Sequence, residues 1–358
     1  MISELKLHNW RNFAREEFKF SQKNVLIGPN GSGKSNMLEA LGFLGLLRSF
    51  RRARTGEIIK LAQNDFALRA IWQKRSPRSG AVTEHELEVR VKRSGGRLLY
   101  VNKQIENSGR NFIQYFSPVF FVPEDIEIVS GVPGIRRRFF DMLASQLDDS
   151  YMNVLHDYHK TLQLRNLLLR SRKTADIMQL EVYEGLLAFA GADLTRRRYE
   201  CVEEFNKILA KLNNGKETSF TVQYHPYCAD GPETYIRLFD RMRKREIEKR
   251  TTLCGCQLDD FRIMRNGQPM KGFSSNGQNR MAALNCKLAS AQMIMQKCGR
   301  EKLIALVDDV TGELDEYRKA VFFDMLKNSG QIFFTFTERV PDKFFNDASV
   351  TELCPLNE

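Results

Sequence analysis

No stretch of this 358-residue chain approaches the run of roughly 20 apolar residues that a membrane-crossing helix needs. A transmembrane protein is therefore not expected. Residues 1–13 have no continuous apolar core, so no secretory leader is expected there. Cysteine is scarce and badly placed for crosslinking, with seven residues scattered at 201, 228, 254, 256, 286, 298 and 354. An odd number in a long chain argues against a disulfide framework and for a reducing, cytoplasmic compartment. Cys254 and Cys256 form the only close pair, and no second pair or nearby histidine completes a zinc set. His156 and His159 sit on a helical pattern without a third ligand. Acidic residues are also short, at 44 against 55 Lys and Arg, which leaves a net charge of +11. An excess of that size points to a polyanionic partner, either nucleic acid or an acidic membrane surface. The 42% hydrophobic fraction is enough for a core, and the length fits about two domains.

What the chain does have is GPNGSGKS, residues 28–35. It matches G-x-x-x-x-G-K-[ST] at every fixed position. A β-type run at 24–27 leads into it, and Met37, Leu38, Leu41 and Leu44 follow with the spacing of an amphipathic helix. Strand, glycine-rich turn and helix in that order make a phosphate site. Gly28, Gly31 and Gly33, spaced by Pro29, Asn30 and Ser32, let the backbone turn its N–H groups inward as an anion nest. A helix starting near Gly33 adds its positive dipole end, and carries Asn36 in its first turn. Lys34 reaches the β- and γ-phosphates, and the Ser35 hydroxyl is placed to ligate Mg²⁺. The chain is expected to bind a nucleoside triphosphate.

Around this stretch, residues 2–7 alternate as a first strand, 8–15 read as a loop and 17–20 begin a second strand. Arg48, Arg51, Arg52 and Arg54 cluster after the first helix, as a solvated group or as DNA-phosphate contacts. Residues 66–115 read as short antiparallel strands, with a basic turn at 74–80 and turns at 94–96 and 106–109. A buried strand at 119–122 ends at Pro123. Arg136, Arg137 and Arg138 then open a helix, where cations oppose the dipole and call for an anion or an acidic neighbour. Residues 148–250 are mostly helical. Arg241, Arg243, Lys244, Arg245, Lys249 and Arg250 form a basic run there, either a solvated face or a DNA-phosphate contact. The expected division is an ATPase lobe at 1–147, a helical arm at 148–250 and a second ATPase lobe at 251–358.

Two further constellations follow. Met281, Leu284, Leu288, Ala291 and Met295 step as one face of a helix, and Ser275, Gly277 and Gln278 sit at its start, where free N–H groups favour phosphate. An apolar strand at 303–307 runs into Asp308 and Asp309. Asp308 is placed to hold Mg²⁺ and Asp309 to polarise the attacking water as general base. Residues 312–315 (GELD) come next, and 331–337 form one more core strand. The nucleotide core is therefore split by a long insertion.

Walker A, S-x-G-Q, a strand-borne Asp pair and G-E-L-D, in that order, resemble an ABC-type ATPase. Within that class the chain resembles the RecF family, recombination mediators related to the structural-maintenance-of-chromosomes proteins. LHNWRNF at 7–13, PEDIEIVSGVPGIRRRFFD at 123–141 and VDDVTGELD at 307–315 carry the resemblance, which spans nearly the whole chain. Family patterns differ at 255–260, where GCQLDD stands for G-P-H-R-D-D, and at 275–279, where SNGQN stands for S-Q-G-Q-Q. The switch histidine of transporter ATPases has no counterpart at Thr335 or Thr337.

The resemblance implies an α/β ABC-type head, a mixed sheet with flanking helices and an antiparallel β-subdomain, with an inserted helical arm. It implies ATP with Mg²⁺, sandwiched between the phosphate loop of one copy and Ser275, Gly277 and Gln278 of a second, in an ATP-dependent homodimer. It places Arg11 and Asn12 near the nucleotide. Asp309 stands where many relatives carry Glu, which implies slow turnover. The implied role is a DNA-binding clamp for single- and double-stranded, gapped or junction DNA that helps load a RecA-type recombinase, with RecO- and RecR-like partners and no membrane. Two other readings stand beside it: the nucleotide-binding subunit of a transporter, and an ATP- and DNA-binding scaffold with little hydrolysis.

Overall fold

The alternation at the start of the chain does form a strand, but β1 (Ile2–Trp10) runs on through His8 and Asn9, and β2 (Phe13–Lys19) begins almost at once. The loop expected over 8–15 is instead a tight hairpin. Trp10 and Phe13, both buried, pair across it, and Arg11 closes the turn with φ of 52°. The computed structural model describes residues 1–51, 53–75, 79–171, 176–213, 218–229, 231–310, 316–338 and 343–354. Residues 312–315, Arg52 and 76–78 of the basic turn lie outside them. Two compact units share the chain: Met1–Glu124 with Ile294–Glu358, and Asp125–Met293. The junctions expected at 147/148 and 250/251 both fall inside the second unit.

In the first unit, β1 and β2 join β4 (Asp65–Arg75), β5 (Val82–Lys92), β6 (Arg97–Val101) and β7 (Gln104–Ile105) in an antiparallel sheet of order β2-β1-β4-β5-β6-β7. The β-subdomain thus reaches back to the first residues of the chain rather than starting at 66. A second sheet has the order β14-β3-β13-β12-β8, built from β3 (Lys23–Ile27), β8 (Ser117–Phe121), β12 (Leu303–Asp308), β13 (Gln331–Phe336) and β14 (Ser349–Glu352). All its pairs are parallel, so the C-terminal ends of β3, β13 and β12 share one edge. Ligands bind at such edges in open α/β sheets.

Helix α1 (Lys34–Leu46) touches strands of both sheets and is buried on almost every side, including Glu39, Gly42 and Gly45. The one-sided amphipathic helix expected from Met37, Leu38, Leu41 and Leu44 is not what forms, because two sheets cover it. A Cβ on Gly42 would stand 1.8 Å from the Phe120 ring, so the helix packs at glycine distance on β8. Trp10, Phe43 and Phe66 meet edge to face at 4.9–5.5 Å in the same core. Short helix α2 (Thr55–Ile58) lies between α1 and β4, α3 (Gly109–Ile113) lies between β7 and β8, and α10 (Glu316–Leu326) precedes β13.

The second unit is mainly helical. Helix α4 (Glu127–Ser130) leads to α5 (Pro133–Leu147), α6 (Asp149–Arg170), α7 (Ile177–Asn213) and α8 (Pro232–Lys249). A small antiparallel sheet, β11-β10-β9, joins β9 (Phe220–His225), β10 (Asp260–Arg265) and β11 (Gln268–Pro269) to them. Its interior carries ion pairs. Arg136 binds Asp260 through two nitrogens at 2.8 and 3.1 Å, and Arg137 donates to the Asp259 carbonyl at 2.7 Å. Arg136, at the start of α5, therefore finds an acidic neighbour within the unit. Arg198 bridges Asp141 and Asp259, and Arg165 bridges Glu184 and Glu246. Helix α9 (Asn276–Cys298) is buried on most sides between Ala282 and Met295, not along the single face that its apolar steps imply.

Candidate functional site

The phosphate loop leaves β3 under tight constraint. The Gly28 N–H donates to the Phe336 carbonyl at 3.2 Å, and a Cβ on Gly28 would meet the Leu353 carbonyl at 2.4 Å. Gly31 and Gly33 hold φ of 84° and 96°, in the left-handed region open to glycine. Gly33 caps α1 without any side-chain acceptor. The first-turn N–H groups of Lys34, Ser35 and Asn36 therefore point out of the helix unbonded by it, at its positive end. That arrangement has the geometry of an anion nest. Gly28, Pro29 and Ser32 shape the loop behind it, while Asn30, Gly31, Gly33, Lys34, Ser35 and Asn36 line an open cleft.

The opposite wall comes from the ends of β12 and β13. Asp308, Asp309, Thr335, Phe336 and Thr337 complete the lining, together with Arg51. Ser35 Oγ and Thr335 Oγ1 both donate to Asp308 Oδ1, at 2.9 and 2.7 Å. Asp308 is nearly buried, whereas Asp309 is exposed and holds φ of 53°. The Lys34 ammonium donates to the Gly28 and Pro29 carbonyls at 2.5 and 2.9 Å. Burial pulls its pKa down, and the charges of Asp308 and Asp309 push it back up. Ser35 and Asp308 offer two hard oxygens side by side, which is the donor type that Mg²⁺ takes.

Arg51, read from the sequence as one of a basic cluster, has a place in this cleft that the sequence does not reveal. Its Nη1 donates to Asn36 Oδ1 at 3.0 Å, and its Nη2 stands 3.7 Å from Asp308 Oδ2. It therefore lines this cleft. Asn36 Nδ2 in turn donates to Asn12 Oδ1 at 2.9 Å. Asn12 thus supports the cleft through Asn36. Arg11 does not line the cleft. Its guanidinium grips buried Glu39 of α1 with two bonds of 2.7 Å and donates to the Glu57 carbonyl at 2.9 Å. It ties the β1–β2 turn to the helix. Thr335 stands out in the sequence only as a place without the switch histidine; its bond to Asp308 is not legible there, because a threonine ending an apolar strand gives no sign of which strand lies beside it.

Ser275, Gly277 and Gln278 stand at the start of α9, in the second unit. The Ser275 N–H donates to Gln278 Oε1 at 3.0 Å and the Gln278 N–H to Ser275 Oγ at 3.3 Å, a reciprocal capping box. Ser275 and Gly277 are exposed. Among the replaced family positions, Gln257 accepts the Tyr158 hydroxyl and donates to the Cys254 carbonyl at 2.7 Å, while Leu258 is exposed.

The RecF/RecN/SMC N-terminal domain family matches residues 1–351. A DNA replication and repair protein RecF of Exiguobacterium sp. is 33% identical over 350 residues, covering 94% of this chain and 92% of that protein. A protein of the same description from Clostridium perfringens is 33% identical over 335 residues, covering 91% and 90%. The structure is also similar to that of the recombination mediator protein RecF with ATP, in the RecFOR pathway. The TM-score is 0.87 at 28% identity, over 96% of this chain and 93% of that one. With its Walker A cleft on a parallel sheet and a kinship that spans more than nine-tenths of its residues, the chain belongs to the RecF family.

Proposed function

We propose that the protein is an ATP-dependent DNA-binding clamp of DNA replication and recombinational repair. One observation carries this: Lys34, Ser35, Asp308 and Asp309 meet in one cleft at the N-terminus of α1. The first-turn N–H groups and Lys34 receive the β- and γ-phosphates of ATP. Ser35 and Asp308 hold Mg²⁺, which would screen the phosphate charge. Asp309 takes a proton from the water that attacks the γ-phosphorus, as the bond to the ADP oxygen breaks. Arg51 brings fixed positive charge to the same edge, where negative charge shifts during transfer. The short reach of an aspartate suits slow turnover, a timer more than a motor.

The clamp closes when a second copy adds Ser275, Gly277 and Gln278 across the nucleotide, giving an isologous dimer with two bound ATP. Exposure of the α9 start supports this. DNA contact is mainly to phosphates. On α8, Arg243 faces Glu181, Glu184 and Asp240, but Arg241, Lys244, Arg245 and Lys249 are exposed without an ion pair among the described residues. That outer face is suited to a phosphate backbone, with a steep salt dependence. The relatives' role in replication and repair, and the RecFOR pathway of the matching structure, support recombinase loading with RecO- and RecR-like partners. Sedimentation velocity with ATP, with and without gapped DNA, tests the reading on the parent and Lys34→Met. An ATP-dependent dimer that retains DNA, lost in the variant, is expected. A parent monomer indifferent to ATP would overturn the clamp.

A further inference from the structure

Thr335 is the one polar cleft residue with two contacts to the acidic pair and no task so far. It ends the buried part of β13, is 2% exposed, and in the register it faces Asp308 on one side and Leu26 on the other. Its hydroxyl works in two directions. It donates to Asp308 Oδ1 at 2.7 Å and accepts the backbone N–H of Asp309 at 3.2 Å. The second bond falls where the ladder between β12 and β13 stops, since Asp308 and Thr335 are its last register pair. Beyond it the chain turns, and Asp309 takes φ of 53°, a left-handed conformation uncommon outside glycine that a short polar side chain such as Asp adopts more readily than most. Such a conformation persists where neighbours hold it. Here a side-chain hydroxyl stands in for the strand carbonyl and ties the turned backbone to β13.

We infer that Thr335 is a positioning residue for hydrolysis. Its one hydroxyl fixes the Asp308 oxygen that Ser35 also binds, and through the Asp309 N–H it aims the Asp309 carboxylate at the cleft. The inference rests on Asp309 being the general base. It also makes a distinction within the site. The phosphate nest is built by residues 28–36 and does not need Thr335, so loss of the hydroxyl should alter turnover and the metal response more than nucleotide affinity.

The experiment uses the full chain with Thr335→Val, which keeps the shape and removes both bonds, and Thr335→Ser, which keeps the hydroxyl. Single-turnover ATP hydrolysis is measured beside binding of a fluorescent ATP analogue, in Mg²⁺ and in EDTA. Thr335→Val is expected to slow hydrolysis by about tenfold or more, the scale of one hydrogen bond lost from a transition state. Its EDTA affinity should stay within about twofold of the parent, while the gain in affinity on adding Mg²⁺ shrinks. Thr335→Ser should stay near the parent in both. Tryptophan fluorescence checks folding, and Thr335→Ala replaces the valine variant if that one does not fold. Hydrolysis at the parent rate, parallel loss of rate and EDTA affinity, or no rescue by serine would each overturn the inference. Asp309→Asn, run alongside, separates the causes of failure. If it hydrolyses ATP like the parent, the general-base reading is what fails. If it is inactive while Thr335→Val is active, only the role of Thr335 falls.

Discussion

Replacing Arg198 by methionine should weaken the second unit and leave the first alone. The guanidinium is buried. It donates to both Asp141 oxygens at 3.0 Å, to Asp259 Oδ2 at 2.7 Å and to the Cys256 carbonyl at 2.9 Å. Without it, two carboxylates share a nearly dry site. Breaking a buried pair by removing one partner costs about 3–5 kcal/mol. For a unit of this size each kcal/mol moves the melting point by about 2–4 °C, so a fall of roughly 6–20 °C is expected. The assay can tell the units apart. Trp10 and Trp72 both lie in the first unit, so tryptophan fluorescence follows that unit. Far-UV circular dichroism is dominated by helices such as α6, α7 and α8 of the second. The dichroism transition should drop and the fluorescence transition should hold.

The same variant has a pH signature. Burial raises the Asp259 carboxyl above its usual range, and the charge of Arg198 works against that rise. Removing Arg198 raises it further. An acid whose folded pKa is raised binds its proton more tightly in the folded state. Its penalty is absent below the unfolded pKa, grows as pH rises and is complete above the folded pKa. The Arg198→Met deficit should therefore be smaller near about pH 5 than near about pH 8. Asp259→Asn added to Arg198→Met should recover part of the loss at the higher pH. A deficit below about 1 kcal/mol, or one equal at both pH values, would refute the reasoning.

Two shorter predictions follow. Gly42→Ala gains about 1 kcal/mol of helix propensity, yet its Cβ would stand 1.8 Å from a Phe120 ring that is stacked on Phe50 at 4.0 Å. The net effect should be a loss of about 1–3 kcal/mol, seen in the tryptophan transition; a stabilised variant would show that β8 yields easily. Changing Arg241, Lys244, Arg245 and Lys249 together to Gln should lower the log–log salt slope of DNA affinity by roughly 3–4, measured by anisotropy at several salt concentrations. Parallel lines for parent and variant would place DNA elsewhere.

The phosphate loop was legible because everything that defines it is contiguous: strand, turn and helix start are adjacent in sequence. The Asp308–Asp309 pair was legible because an apolar run ending in two carboxylates is rare in a buried strand. Burial of α1 was not, since an apolar stripe reports one covering surface and cannot report two. Gly42 and Gly45 carry that information only once Phe120 and Pro118 are known to lie beside them. The place of Arg51 in the cleft was not legible for a related reason. It sits among other arginines in sequence, and its partners Asn36 and Asp308 are brought to it by the fold. The cations of α5 could be given a purpose from dipole physics, an acidic neighbour, but not the identity of Asp260.

The strand order explains why the strained residue is Asp309. Three other left-handed residues sit where local geometry accounts for them: Arg11 closes a hairpin, and Leu47 and Arg250 end helices. Asp309 does none of these. It follows a fully buried strand and faces a cleft, with β13 interposed between its own strand and that of the phosphate loop. A chain leaving β12 in an ordinary extended conformation would carry its next side chain on along the strand direction. The left-handed turn redirects it while Asp308 stays in the ladder, so consecutive carboxylates take different positions. Sequences that fold well obey local rules except where function demands otherwise. Here the exception, the hydroxyl that holds it and the nest it faces come from three adjacent parallel strands, β12, β13 and β3. On the function proposed above, hydrolysis would therefore depend on the integrity of the sheet edge, and phosphate binding on the loop and the helix start.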